Sequence, residues 1–286
     1  MTWMKRRAIK RTMTRTINRP TDRADHRADL SARDREKRQG GSGLDRYSGN
    51  YRAINHDVGR ALHHYGMIDH EDRILVGVSG GKDSMALLWI LNERLSRIPV
   101  DYTLYPVYVD PGFENGFAGE LTSWCANAGY GLHVEETDFG VFAHTDANRE
   151  NPCFLCSRMR RRRMFEIADQ WGCNKIALGH HKDDIIETLF INMCHAGTMG
   201  TMMPAQPMFG GLFTIIRPLA FVDEERIAGF AREMGFPEFI NPCPSSDNSR
   251  RKEIKTFLHS LYGGSKKIKD NIFRSMSHVN MEYMLK

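Results

Sequence analysis

The chain has 286 residues, 41% of them hydrophobic, which is enough for one sizeable core with a small appendage. No apolar run approaches the roughly 18 residues that span a bilayer, and no signal-type stretch opens the chain, so a cytoplasmic protein without a membrane partner is expected. The formal charge is +5, but residues 1–40 hold 13 Lys/Arg against 5 Asp/Glu and leave the remainder at −3, so a global basic balance does not mark a nucleic-acid binder.

Residues 1–45 are Arg-rich and lack apolar periodicity, and they are read as a disordered basic tail. Gly40-Gly41-Ser42-Gly43 marks its boundary, and residues 46–286 are expected to form the folded domain. A short helix over Tyr51 to Tyr65 precedes a buried-type strand, Ile74 to Val78. A helix over Ser84 to Leu95 carries Ala86, Leu87, Ile90 and Leu91 at helical spacing. Further strands are expected at Tyr102–Val109, Leu132–Thr137, Ile176–Leu178 and Thr214–Arg217. Helices between and after them are expected at Phe117–Ala128, Ser157–Trp171, Asp184–Cys194 and Asp223–Met234. This alternation predicts an α/β fold, a doubly wound and mostly parallel five-stranded sheet with helices on both faces. C-terminal helices follow, with Ile254, Phe257, Leu258 and Leu261 on one face. The segment Gly197 to Gly211, rich in Met and Gly, is expected to be a mobile loop near the active site.

Between the first strand and its helix lies Ser79-Gly80-Gly81-Lys82-Asp83-Ser84. Backbone N–H groups at a helix N-terminus favour an anion, and Gly80 and Gly81 allow a tight turn and close approach of phosphate oxygens. Lys82 adds a positive charge, and Ser79 and Ser84 offer hydroxyls. The segment is not a Walker A loop, because that pattern needs Gly at position 76 and Ser or Thr at 83, where Val76 and Asp83 stand. These six residues predict a pyrophosphate-binding loop that takes ATP and splits it between the α- and β-phosphates. Gly179-His180-His181-Lys182-Asp183-Asp184 follows the fourth strand, and the carboxyl ends of strands in such a sheet hold the ligand. Asp83, Asp183 and Asp184 are therefore the candidate catalytic carboxylates, with Asp83 or Asp184 as the Mg²⁺ ligand and a His available to move a proton. An acidic first turn that merely suits the helix dipole is the plainer alternative. Val109 and Asp110 end the second strand where the adenosine is expected, and Gly179 and Asp184 complete the ATP pocket.

Cys153-Phe154-Leu155-Cys156 is followed at once by an arginine run, Arg158 and Arg160 to Arg163. A lone C-x-x-C is compatible with zinc, thiol redox chemistry or an iron–sulfur site, and no second such pair exists to close a zinc site. Cys243 stands apart in a Pro-rich loop, Asn241-Pro242-Cys243-Pro244. Three thiolates can hold three irons of a [4Fe-4S] cube and leave the fourth open. Cys125, Cys173 and Cys194 read as small apolar residues. Arg158, Arg160 and Arg162 are candidate phosphate contacts, although helical periodicity spreads the run around the helix.

The loop Ser79–Ser84 resembles the signature of the PP-loop ATP pyrophosphatases, an adenine nucleotide α-hydrolase-like fold whose members adenylate a carbonyl-type oxygen and release pyrophosphate. The ordered set that adds C-F-L-C-S-R-M-R-R, L-G-H-H-K-D-D, I-R-P-L-A and a late cysteine resembles the tRNA 2-thiocytidine synthetase family over residues 51 to 280. That resemblance implies an ATP- and Mg²⁺-dependent thiolation of cytidine 32 in the tRNA anticodon loop. It also implies a [4Fe-4S] cluster on Cys153, Cys156 and Cys243, a cysteine desulfurase as sulfur donor and, by analogy, a homodimer. The family often carries P-C-x-x-C in the late loop, where this chain keeps only Cys243. Counting back from Glu253-Ile254-Lys255 aligns it with the second, ligating cysteine. The Arg-rich tail is not a feature of the family. Other readings of the same motifs are a uridine thiolase, a lysidine synthetase, or a non-catalytic ATP-binding protein with a structural zinc.

Overall fold

The computed structural model describes residues 48–245 and 250–285, so the basic tail lies outside the described residues. Helix α1 (Gly49–His64) starts where the Ser48 side chain accepts from Tyr51 N–H, and it buries Tyr51, Ile54, Val58, Ala61 and Leu62. Strand β1 (Asp72–Gly77) follows, then α2 (Lys82–Leu95), β2 (Tyr102–Asp110), α3 (Ala118–Asn127) and β3 (His133–Glu136). A short helix α4 (Phe139–Ala143) leads into α5 (Pro152–Gln170), β4 (Lys175–Ala177) and α6 (Lys182–Ile191). A π-turn over Asn192–Ala196 ends α6. Strands β5 (Ala205–Met208) and β6 (Phe213–Ile216) precede α7 (Glu224–Glu233), α8 (Arg250–Tyr262) and α9 (Lys266–Ser275).

The sheet runs β3-β2-β1-β4-β6-β5, parallel throughout except that β5 pairs antiparallel with β6. β1 is flanked by β2, with Gly77 opposite Val107, and by β4, with Val76 opposite Ala177. The chain winds outward from β1 to β3, then crosses to β4. The gap beyond the carboxyl ends of β1 and β4 is thus the topological switch point, where such sheets take their ligands. Ile74, Val76 and Val78 of the β1 run join one core with α1, α2 and α7. A side chain at Gly77, which points the other way, would meet Met164 of α5 at 3.3 Å.

Four expectations change. The sheet has six strands rather than five, because residues 205–208, expected within a loop, form the antiparallel edge. Ala205-Gln206-Pro207-Met208 hides as a strand, since Pro suits an edge and the run shows no alternation. α5 begins at Pro152, not Ser157, so both cysteines of the C-x-x-C lie in its first turns. Cys125 and Cys173 are buried as small apolar residues, but Cys194 is exposed on the π-turn. In α8, Ile254 and Leu258 are buried against Ile186 while Phe257 and Leu261 stay exposed. No helix among the described residues is long and apolar enough to cross a membrane.

Candidate active site at the carboxyl end of the sheet

Gly80 has φ +78°, a conformation that favours glycine, and a Cβ there would stand 2.5 Å from the Phe117 ring. Gly81 caps α2 and offers no side chain to its first turn, whereas Ser48 and Asn151 cap α1 and α5 with theirs. The Ser84 hydroxyl accepts from Ser79 N–H at 3.0 Å and donates to Gly81 C=O at 2.9 Å, so it braces the loop from within. Sequence reasoning gave that hydroxyl to the phosphate. Lys82 Nζ lies 3.2 Å from Asp83 Oδ2 and 3.2 Å from Glu224 Oε1. Burial lowers the Lys82 pKa, but the charges of Asp83 and Glu224 outweigh it and leave it raised.

The second loop touches the first. A Cβ on Gly179 would lie 3.0 Å from Asp83 C and Ser84 N, so only glycine fits between the two turns. Burial raises the Asp83 carboxyl, Asp184 adds to this, and His181 and Lys82 oppose it without cancelling it. Asp83 Oδ1 is buried without a hydrogen-bond partner, and the buried His181 places Nε2 3.8 Å away. Asp184 Oδ2 accepts from His181 N–H at 3.0 Å, and its Oδ1 accepts from Arg251 at 2.5 Å. Asp183 accepts from Glu224 N–H at 2.8 Å, pairs with Lys269 at 2.5 Å and lies 3.7 Å from His181 Nδ1. The structure therefore gathers Asp83, Asp183 and Asp184 around His181, and Asp183 also docks α7 and α9. Burial, reinforced by Arg217, Arg251 and Arg161 against Asp184, lowers His180 to about 4 and leaves a neutral imidazole at pH 7. Val109 is buried at the end of β2, and Asp110 Oδ1 accepts from Gly112 N–H at 2.9 Å, closing the turn beyond it.

Sequence reasoning missed the C-terminal helices as part of this site. Glu224 Oε2 accepts from Lys255 at 2.6 Å while its other oxygen holds Lys82. Burial pushes Glu224 up, but the Lys255 bond and the charges of Lys82, Lys255 and His181 draw it down to about 2. Arg251 and Lys255 sit four apart on α8, beside the Ile254–Leu258 apolar stripe, and that i,i+4 pair was the available signal.

The thiols lie at the N-terminus of α5. Asn151 caps it by accepting from Phe154 N–H. Burial pushes the Cys156 thiol up, Arg160 pulls it back, and Cys243 and Cys153 push it further up. Cys153 Sγ approaches Ser245 C=O at 3.9 Å. Among the described residues no three His, Cys, Asp or Glu side chains close tightly enough to form a metal cage. The donor chemistry nevertheless suits a soft, thiolate-liganded group, because cysteine sulfur is a soft ligand and Arg160 draws the otherwise raised Cys156 toward ionisation. Arg160 also acts on Tyr108 at the end of β2, where burial and Asp110 raise the hydroxyl to about 12 against its pull. Its Nε is buried without a hydrogen-bond partner, and its charge acts on both Cys156 and Tyr108. Arg158 instead pairs with Glu150 at 3.0 Å, and the exposed Arg162 pairs with Glu166 at 3.0 Å.

A family model described as the PP-loop domain matches residues 52–260. A tRNA-cytidine(32) 2-sulfurtransferase from Geotalea daltonii is 37% identical over 239 residues, covering 82% of this chain and 94% of the relative. The chain belongs to the tRNA-cytidine(32) 2-sulfurtransferase family of PP-loop proteins. A member from Polynucleobacter asymbioticus is 38% identical over 232 residues, covering 80% of this chain and 76% of its own. In fold, the chain is similar to the U34-tRNA thiolase NcsA from Methanococcus maripaludis with its [4Fe-4S] cluster, with TM-score 0.68 and 21% identity. That likeness covers 82% of this chain and 80% of the thiolase.

Proposed function

We propose that the chain converts cytidine 32 of tRNA to 2-thiocytidine, using ATP to activate the base. What supports this reading is that one loop, residues 239–245, packs against Gly80 of the phosphate loop through Phe239 and against Cys153 through Ser245, with Cys243 between. Family membership supplies the base and the position. The α2 N-terminus and Lys82 hold the ATP phosphates. Asp83 and Asp184 are the carboxylates that would hold Mg²⁺, which screens phosphate charge when bound.

The cytidine O2 attacks the α-phosphorus, the bond to the β-phosphate breaks, and pyrophosphate leaves. Lys82 neutralises charge on that leaving group. A sulfur nucleophile then enters at C2, and the C2–O bond breaks to release AMP. Cys153, Cys156 and Cys243 would hold a [4Fe-4S] cluster, whose fourth iron supplies an open position for that sulfur. His180, neutral at pH 7, is placed to accept a proton at its unpartnered Nδ1. An unstacked anticodon-loop base needs a cationic plane near the site, and Arg160 offers one. The same reading takes a cysteine desulfurase as sulfur donor and a homodimer as the assembly.

Stoichiometry tests the reaction class. With tRNA, sulfide and ATP under anaerobic conditions, AMP and pyrophosphate are expected in equal amounts to thiolated base. Release of ADP and orthophosphate instead would sink the adenylation step.

A further inference from the structure

We propose that Phe239 and His144 are positioning residues that pin the Cys243 loop from both sides and hold its thiol beside the two on α5. The inference rests on the reading of Cys243 as a member of the thiol triplet. Cys243 lies on no helix or strand, so nothing in regular structure fixes it. Upstream, Phe239 stacks on Phe117 with centroids 5.0 Å apart and planes at 18°. Both rings also press on the phosphate loop, since a Cβ on Gly80 would meet Phe239 at 3.2 Å and Phe117 at 2.5 Å. Only three residues separate this anchor from Cys243. Within that span the Asn241 side chain accepts from Cys243 N–H at 3.1 Å, which sets a tight local turn before Pro244.

Downstream, His144 holds Ser245. Its Nδ1 is 2.8 Å from Gly140 C=O, an acceptor, so the proton sits on Nδ1 in the neutral ring. Nε2 is then the acceptor, and the Ser245 hydroxyl donates to it at 2.7 Å. The imidazole is itself oriented by Phe113, edge-on at 5.5 Å, and Phe113 packs where a Cβ on Gly140 would stand. Ser245 C=O is also the group that Cys153 Sγ approaches. The loop is thus bound to the phosphate loop at one end and to the N-terminal region of α5 at the other, with Cys243 between. These contacts select where the Cys243 thiol points.

The test uses the full chain, apo and reduced, treated anaerobically with limiting diamide, which takes two electrons and two protons as two thiols join. Mass spectrometry of the digest compares disulfides between Cys243 and Cys153 or Cys156 with the local Cys153–Cys156 disulfide. His144→Ala and Phe239→Ala are each expected to lower that ratio about fivefold, the factor set by losing one net hydrogen bond or a ring pair. His144→Gln, which can still accept from Ser245, and Phe239→Tyr, which can still stack, are expected to restore it. General destabilisation would also lower the long-range product relative to the local one, so the ratio is compared only between variants whose circular dichroism and urea midpoint match the wild type. An unchanged ratio in both alanine variants overturns the proposal, as does a wild-type protein that never joins Cys243 to α5. Iron per chain after reconstitution is measured alongside. A wild type that takes up no iron removes the cluster reading, while the disulfide ratio still decides the positioning.

Discussion

At the amino ends of β1 and β4, Lys175 lies 2.6 Å from Asp72 and 2.9 Å from Asp69, Asn174 donates to Asp72 at 2.6 Å, and Arg73 N–H donates to Asn174 at 2.9 Å. At the carboxyl ends of the same two strands, Asp83 Oδ1, His180 Nδ1 and His181 Nδ1 are buried without hydrogen-bond partners, as is Arg217 Nε just past the neighbouring β6. Both ends bury charge. The amino end closes its charges on one another, which fixes strand register. The carboxyl end leaves polar atoms open, at a desolvation cost of about 1–3 kcal/mol each, and their convergence at the switch point gives that cost a functional meaning. An unsatisfied buried group is thus informative through its location as well as its existence.

Four substitutions sharpen the contrast, in falling order of effect. Lys175→Met strips the partner from buried Asp72 and is expected to cost about 3–5 kcal/mol in urea unfolding, with turnover per folded molecule unchanged. A loss of turnover without loss of stability would show that the amino end is not merely structural. Lys82→Ala is expected to do the reverse, lowering kcat/KM for ATP about 10²–10³-fold, with an unfolding change within about 1 kcal/mol. Gly179→Ala drives a methyl into the Asp83–Ser84 backbone and is expected to weaken ATP binding by about 1–3 kcal/mol, read by calorimetry. The smallest effect is a pH slope from His180. Its pKa falls from 6.5 to about 4 on folding, so between those values the unfolded chain binds the extra proton. Its contribution to stability is full above about 6.5 and is lost as pH falls toward about 4, by at most about 1.4 kcal/mol per pH unit. His180→Gln should flatten that part of the curve; an unchanged slope would mean the imidazole is not desolvated.

The phosphate loop was legible because its chemistry is contiguous: strand, two glycines, a lysine and a helix follow one another in the chain. The doubly wound fold was legible for the same reason, through local periodicity. What sequence could not reach is contact between distant segments. Lys82 and Glu224 meet across 142 residues and Asp184 and Arg251 across 67, and the Arg251–Lys255 spacing marks a cationic helix face without naming its partners. Asp183 and Asp184 look alike in sequence, yet one docks α7 and α9 while the other caps α6 beside Asp83. The cysteines fall between these cases. Their types and order suggested a soft donor set, but only the fold brings Cys243 back to the start of α5. β5 escaped notice because an edge strand with a proline carries little of the usual strand signature.

If an ATP pocket and a thiol site act on one tRNA cytidine, the modification in the cell depends on both. Mass spectrometry of the anticodon-loop fragment of tRNA from cells lacking this protein, with and without a restoring copy, reads that dependence. 2-Thiocytidine at position 32 is expected to vanish without the protein, to return with the wild type, and to stay absent with Lys82→Ala or Cys243→Ala. Unchanged 2-thiocytidine in the deletion, or loss of a thiolated uridine or lysidine in its place, would contradict it.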